Sequence, residues 1–140
     1  MVSIHTLYEG GLRCRSTHGP SGTTLCTDAP VDNHGRGESF SPTDLVATAL
    51  GSCMVTVMGI HAQKRGWDVS GTTVDVVKHM TSEGPRRIAR LEVMLRVAGE
   101  HDEEARALLE RVARSCPVFE SIHPDIEVPV TFHWKATADA

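Results

Sequence analysis

The sequence predicts an α+β fold with a mainly antiparallel sheet, on three observations. Several short segments repeat apolar residues at every second position and are separated by Gly-rich turns; the stretch Ser41 to Gly66 is apolar or small over most of its length; and Asp102 to Ala113 shifts to helical spacing. The resulting order is three strands, a buried helix, two strands, a helix, a cysteine-bearing turn and a final strand. With 140 residues the chain is expected to form one domain, residues 1–140.

Val2 to Tyr8 alternates weakly as a first strand, and Gly10-Gly11 turns the chain. Leu12 to His18 alternates more clearly, with Leu12, Cys14 and Ser16 on one face and Arg13, Arg15 and Thr17 on the other. Gly19-Pro20-Ser21-Gly22 ends it, and Thr23 to Thr27 supplies a third strand of an antiparallel meander. Asp28 to Phe40 is a polar, Gly-containing loop of a length often given to function.

Ser41 can cap a helix, Pro42 suits its first position, and Asp44 places a carboxylate in the first turn, where backbone N–H groups lack partners. From Leu45 to Ile60 the residues are apolar or small around most of the circumference, as in a buried helix. That run of about sixteen residues is shorter than the ~20 a bilayer requires, and Thr48, Ser52 and Thr56 interrupt it. Gly51 costs a helix about 1 kcal/mol relative to Ala, so a site or close packing is the better reason for it.

Beyond the stop signal at Gly66, Val69 to His79 reads as a strand and Ser82 to Pro85 as a turn. Ile88 to Val97 alternates as a half-buried strand that can pair back as a hairpin. Asp102 to Ala113 sets Ala105, Leu108, Leu109 and Val112 on one face with acids in its first turn. Pro117 opens a short turn or helix through Ile122, and His123-Pro124-Asp125 turns again. Ile126 to Trp134 is the last strand, with Pro129 favouring an edge or bulge, and Thr137 to Ala140 are expected to fray.

Composition excludes several classes. The formal charge of -4 and pI near 6.0 leave no electrostatic footprint for phosphate backbones or anionic lipid, so neither nucleic acid nor membrane is an expected partner. Met1 to Gly10 lacks the pattern of an export signal, and a cytoplasmic location is the expectation. Eight scattered histidines show no zinc-motif spacing, and neither a metal nor another cofactor is expected. His61 lies eight residues beyond Cys53 on the same helix, about 12 Å along the axis, too far to be its base.

The four cysteines, Cys14, Cys26, Cys53 and Cys116, include no Cys-x-x-Cys pair and are poorly explained as a secreted disulfide framework. Cys14 and Cys26 are read as strand packing residues. Cys53, mid-helix among small residues, is either a buried small hydrophobe or a reactive thiol. A local helix start at Cys116 would aim N–H dipoles at its sulfur and favour the thiolate. The two could form a peroxidatic and resolving pair, or each could be structural.

The run GESFSPTDLVATALGSCMVTVMGI, with ARSCPVFESIHPDIEV and YEGGLRCRSTHGPSGTTLCTDAP, resembles the OsmC/Ohr family of thiol-dependent hydroperoxide reductases, in its OsmC-like branch. The resemblance covers essentially the whole chain. It implies mainly antiparallel sheets packed around a long buried central helix in an intertwined homodimer with sites at the subunit interface. It also implies that Cys53 attacks peroxide, that Cys116 resolves the sulfenic acid as a disulfide, and that an external dithiol restores the enzyme.

The family's activating arginine maps to the GGLRCR segment, where Arg13 is chosen and Arg15 is the alternative. Relatives with Asn-Pro-Glu before the helix use the Glu to position that arginine, whereas this chain has Ser41-Pro42-Thr43. Glu38 or Asp44 could take its place. The expected function is reduction of organic hydroperoxides or hydrogen peroxide. The missing acid motivates the alternative, a non-catalytic small-molecule-binding or stress-related dimer on the same scaffold.

Overall fold

A computed structural model describes residues 1–135. The fraying expected at Thr137 to Ala140 lies outside the described residues. The chain forms two compact units, Met1–Val46 and a second that begins at Ala47.

The first unit is an antiparallel meander of β1 (Ile4–Gly10), β2 (Arg13–His18) and β3 (Thr24–Asp28), in spatial order β1-β2-β3. The Gly19-Pro20-Ser21-Gly22 turn sits midway between β2 and β3, which sets Arg13 opposite Asp28 and Arg15 opposite Cys26. The third strand therefore runs one residue further than its alternation suggested, and Asp28 belongs to the sheet. The following loop contains a 3-10 turn at Val31–Asn33 and folds back tightly. A side chain at Gly35 would put Cβ 1.7 Å from the Ala29 carbonyl oxygen, so only glycine fits. Phe40 closes the loop by accepting the Asp28 N–H at 3.0 Å.

Helix α1 (Pro42–Lys64) starts in this unit and continues into the next. Its start is a reciprocal cap: Ser41 Oγ accepts the Asp44 N–H at 3.1 Å, and Asp44 Oδ2 accepts the Ser41 N–H at 2.9 Å. Such caps contribute about 1 kcal/mol. At 23 residues α1 is long and apolar enough, by length and composition, to cross a membrane, so the shorter run counted from sequence does not exclude that. Its packing shows a helix seated on a sheet.

In the second unit β4 (Thr73–Met80), β5 (Ile88–Val97) and β6 (Val130–Trp134) form a sheet in that order. β4 and β5 are an antiparallel hairpin, whereas β6 lies parallel to β5 because α2 (Glu103–Ala113) and α3 (Pro117–Ser121) intervene and carry the chain back. Val69 to Thr72, expected in the strand, instead form a turn in which Thr72 N–H and Oγ1–H both donate to the Val69 carbonyl. Pro129 has no N–H for the ladder, so β6 begins only at Val130, and the preceding residues reach β5 through the Arg90–Glu127 bridge and through the Pro129 carbonyl, which accepts the Val93 N–H at 2.9 Å.

Leu50, Met54 and Met58 of α1, Leu91 and Leu95 of β5, and Leu109 of α2 are the fully buried large apolar residues. Each such side chain removed from water contributes roughly 1.5–3 kcal/mol. α1 buries one stripe rather than its whole circumference, and Thr48, Ser52, Thr56 and Ile60 remain exposed along another. Close packing explains Gly51: a Cβ there would meet Val76 Cγ2 at 3.0 Å and the Val74 methyls at 3.4 Å. Gly51→Val should therefore lower the free energy of unfolding by about 1–3 kcal/mol, through overpacking, in urea titrations. An unchanged midpoint would show that α1 does not press on β4 there.

Candidate active site

In the second unit the candidate thiols come together. Cys53 lies in the middle of α1 and is half-buried, while Cys116 stands immediately before α3 and is fully buried. Both are free thiols, and they lie close enough for the Cys53 side chain to act on the ionisation of Cys116. Cys116 is the N-cap of α3: Pro117 takes the first helical position, and Cys116 Sγ accepts the Phe119 N–H at 3.4 Å.

The helix start does aim an N–H at Cys116, yet its effect is outweighed. Burial pushes the Cys116 thiol up from its ordinary range, the Phe119 N–H pulls it down, and the Cys53 thiol and its charge push it up again. Cys116 is thus held as the protonated thiol, contrary to the thiolate expected from the local helix start alone. The reason is desolvation, which a sequence window cannot display.

Two consequences can be measured. At neutral pH iodoacetamide should alkylate Cys53 about tenfold or more faster than Cys116, because only thiolates react and burial opposes ionisation. Unfolding in urea should remove the difference, and equal native rates would contradict the burial argument. The raised thiol value also links to stability: its contribution is complete below the unfolded-state value and is lost as pH rises through the folded one.

The first unit holds the candidate cation. Arg13 donates from Nε to Asp28 Oδ1 at 2.7 Å and from Nη2 to Asp28 Oδ2 at 2.9 Å, and Nη2 also donates to Glu38 Oε2 at 2.8 Å. Arg15 instead faces Glu9 at 3.6 Å on an exposed side chain. Of the two substitutes considered for the absent acid, Glu38 reaches Arg13, while Asp44 caps α1. Asp28 was missed because it was assigned to the loop. The symmetry of the hairpin about Pro20-Ser21 was the signal that could have found it. Beside Arg13, the Asp28 carboxyl is held below its ordinary range.

Cys14 and Cys26 sit half-buried in β2 and β3. Among the described residues no group of three or more His, Cys, Asp or Glu side chains is arranged to hold a metal.

Residues 35–131 match the sequence model of the OsmC-like proteins. The chain belongs to the OsmC family. Its fold agrees with solved structures of that family. A Psychrobacter arcticus protein named for osmotic stress induction and detoxification response is 43% identical, with a TM-score of 0.90 over 95% of this chain and 96% of that one. The organic hydroperoxide resistance protein OsmC of Legionella pneumophila is 17% identical, with a TM-score of 0.72 over 95% and 96% of the two chains. An organic hydroperoxide resistance protein of Elizabethkingia anophelis is 18% identical, with a TM-score of 0.75 over 96% of each. No curated protein matches the chain. The OsmC fold accounts for the two three-stranded sheets and the long helix between them in sequence.

Proposed function

We propose that this OsmC-like chain is a thiol-dependent peroxidase acting on organic hydroperoxides or hydrogen peroxide. The observation that carries the reading is the pair of adjacent free thiols with unequal burial, Cys53 half-buried and Cys116 enclosed. A nucleophile must be reachable, whereas a resolving thiol only has to reach its neighbour. The names of the relatives, hydroperoxide resistance and detoxification, support a redox or stress-related role.

In this scheme the Cys53 thiolate attacks one peroxide oxygen. An S–O bond forms, the O–O bond breaks, and the departing alkoxide takes a proton and leaves as the alcohol. Cys53 is now the sulfenic acid. Attack by the Cys116 sulfur forms the disulfide, and the sulfenic hydroxyl leaves as water with the Cys116 proton. An external dithiol then exchanges with the disulfide and restores both thiols. Arg13 supplies N–H donors to the attack, as the family resemblance implies. No cofactor is required.

We further propose that the protein works as a homodimer in the cytoplasm. The exposed apolar residues Ile4, Leu7 and Tyr8 of β1 support a second copy as their cover. The test is intact mass after one equivalent of peroxide. A loss of about 2 Da that either single cysteine substitution prevents is the expected signature of the disulfide. Thiols that remain unchanged with every peroxide tried would overturn the peroxidase reading and favour the small-molecule-binding alternative.

A further inference from the structure

We propose that Asp28 is the residue that positions Arg13, performing in this chain the task for which Thr43 offers no carboxylate and from which Asp44 is diverted by capping α1. The inference rests on the peroxidase reading for what Arg13 does, but not for how Arg13 is held.

The two carboxylates on Arg13 are not equivalent. Asp28 leaves 1% of its side chain exposed and Glu38 leaves 62%. An enclosed carboxylate is tolerated only when its lone pairs are met, and Asp28 accepts three N–H groups: Arg13 Nε, Arg13 Nη2 and the Glu38 backbone N–H at 3.2 Å. Its bond to Arg13 is bidentate, which fixes the plane of the guanidinium as well as its place. Glu38 reaches one nitrogen from solvent, where water and salt screen the attraction.

Position in the chain gives Asp28 a second advantage. It stands directly opposite Arg13 in the β2–β3 ladder, so the two share a rigid backbone frame. Glu38 lies at the far end of a loop and is itself tethered to Asp28 through its N–H. Asp28 therefore holds Arg13 directly and, through the loop, also sets Glu38.

What this arrangement delivers is direction. Asp28 neutralises much of the guanidinium charge, so the benefit of holding Arg13 lies in aimed donors. Both carboxylates use the Nε and Nη2 side of the fork, and the Nη1 edge is the one that can turn to oxygen on which charge develops. A lysine at position 13 would present a mobile point charge without that edge.

The experiment compares Asp28→Asn, Asp28→Glu and Glu38→Gln in the full-length protein. Peroxide kinetics give kcat and KM, and the exchange-protected Nε–H resonance of Arg13, assigned through Arg13→Lys, reports the held guanidinium independently of turnover. Asp28→Asn should lose that resonance and lower kcat/KM about tenfold or more, mainly in kcat. Asp28→Glu should recover part of both, and Glu38→Gln should keep the resonance with a loss within about threefold.

Retention of either the resonance or wild-type kcat/KM in Asp28→Asn overturns the positioning role, as does a larger loss in Glu38→Gln than in Asp28→Asn. A wild-type protein that consumes no peroxide, together with an Arg13 resonance lost in Asp28→Asn, refutes the peroxidase reading while the hold of Asp28 on Arg13 stands.

Discussion

Cys53→Ser is expected to reduce peroxide consumption by at least about three orders of magnitude, measured with a dithiol reductant and any peroxide the wild type accepts. The hydroxyl is not ionised at neutral pH and is a far weaker nucleophile than a thiolate, so the S–O bond-forming step has no substitute. Little else should change. Cys53 is half-buried on a helix whose fully buried stripe is Leu50, Met54 and Met58, so the exchange removes no large core side chain. The thermal midpoint should therefore stay close to that of the wild type. A variant that consumes peroxide at the wild-type rate would place the chemistry elsewhere.

Cys116→Ser should fail in a different way. Without a thiol beside it, the sulfenic acid of Cys53 waits for a second peroxide and proceeds to sulfinic acid, a gain of about 32 Da by intact mass in excess peroxide. Turnover should then decay within a few cycles, while the first equivalent is still consumed. The fold should tolerate the change, because serine is a favoured N-cap and its oxygen can accept the Phe119 N–H that Cys116 now accepts. Sustained wild-type turnover without overoxidation would remove Cys116 from the cycle. The two variants together separate attack from resolution, since only the first abolishes the initial equivalent.

The elements that were legible in the chain are those whose signals are local. Ile88–Val97 has the bounds its alternation indicated, because Leu91, Val93, Leu95 and Val97 turn one face to the core over most of its length. The start of α1 follows from Ser41, Pro42 and Asp44, which satisfy the first turn by themselves. The start of α2 is equally local, with Asp102 Oδ1 accepting the Ala105 N–H at 2.8 Å. Where the reading went astray, a partner distant in sequence decided the outcome. β6 is parallel to β5 and short because two helices return the chain there and Pro129 withholds a donor, which alternation within Ile126 to Trp134 does not encode.

For the candidate site the same division holds. The sequence by itself determined that α1 carries a cysteine in mid-helix, that Cys116 precedes a short helix, and that Arg13 and Arg15 share a strand face. These facts depend on periodicity and capping, which act over a few residues. Only the tertiary structure decided that Cys53 and Cys116 meet across the intervening strands and α2, that burial overrides the N–H donor at Cys116, and that Asp28 grips Arg13 while Arg15 faces Glu9. Proximity and desolvation depend on which surfaces the fold brings together, and a local stretch of sequence carries no record of either.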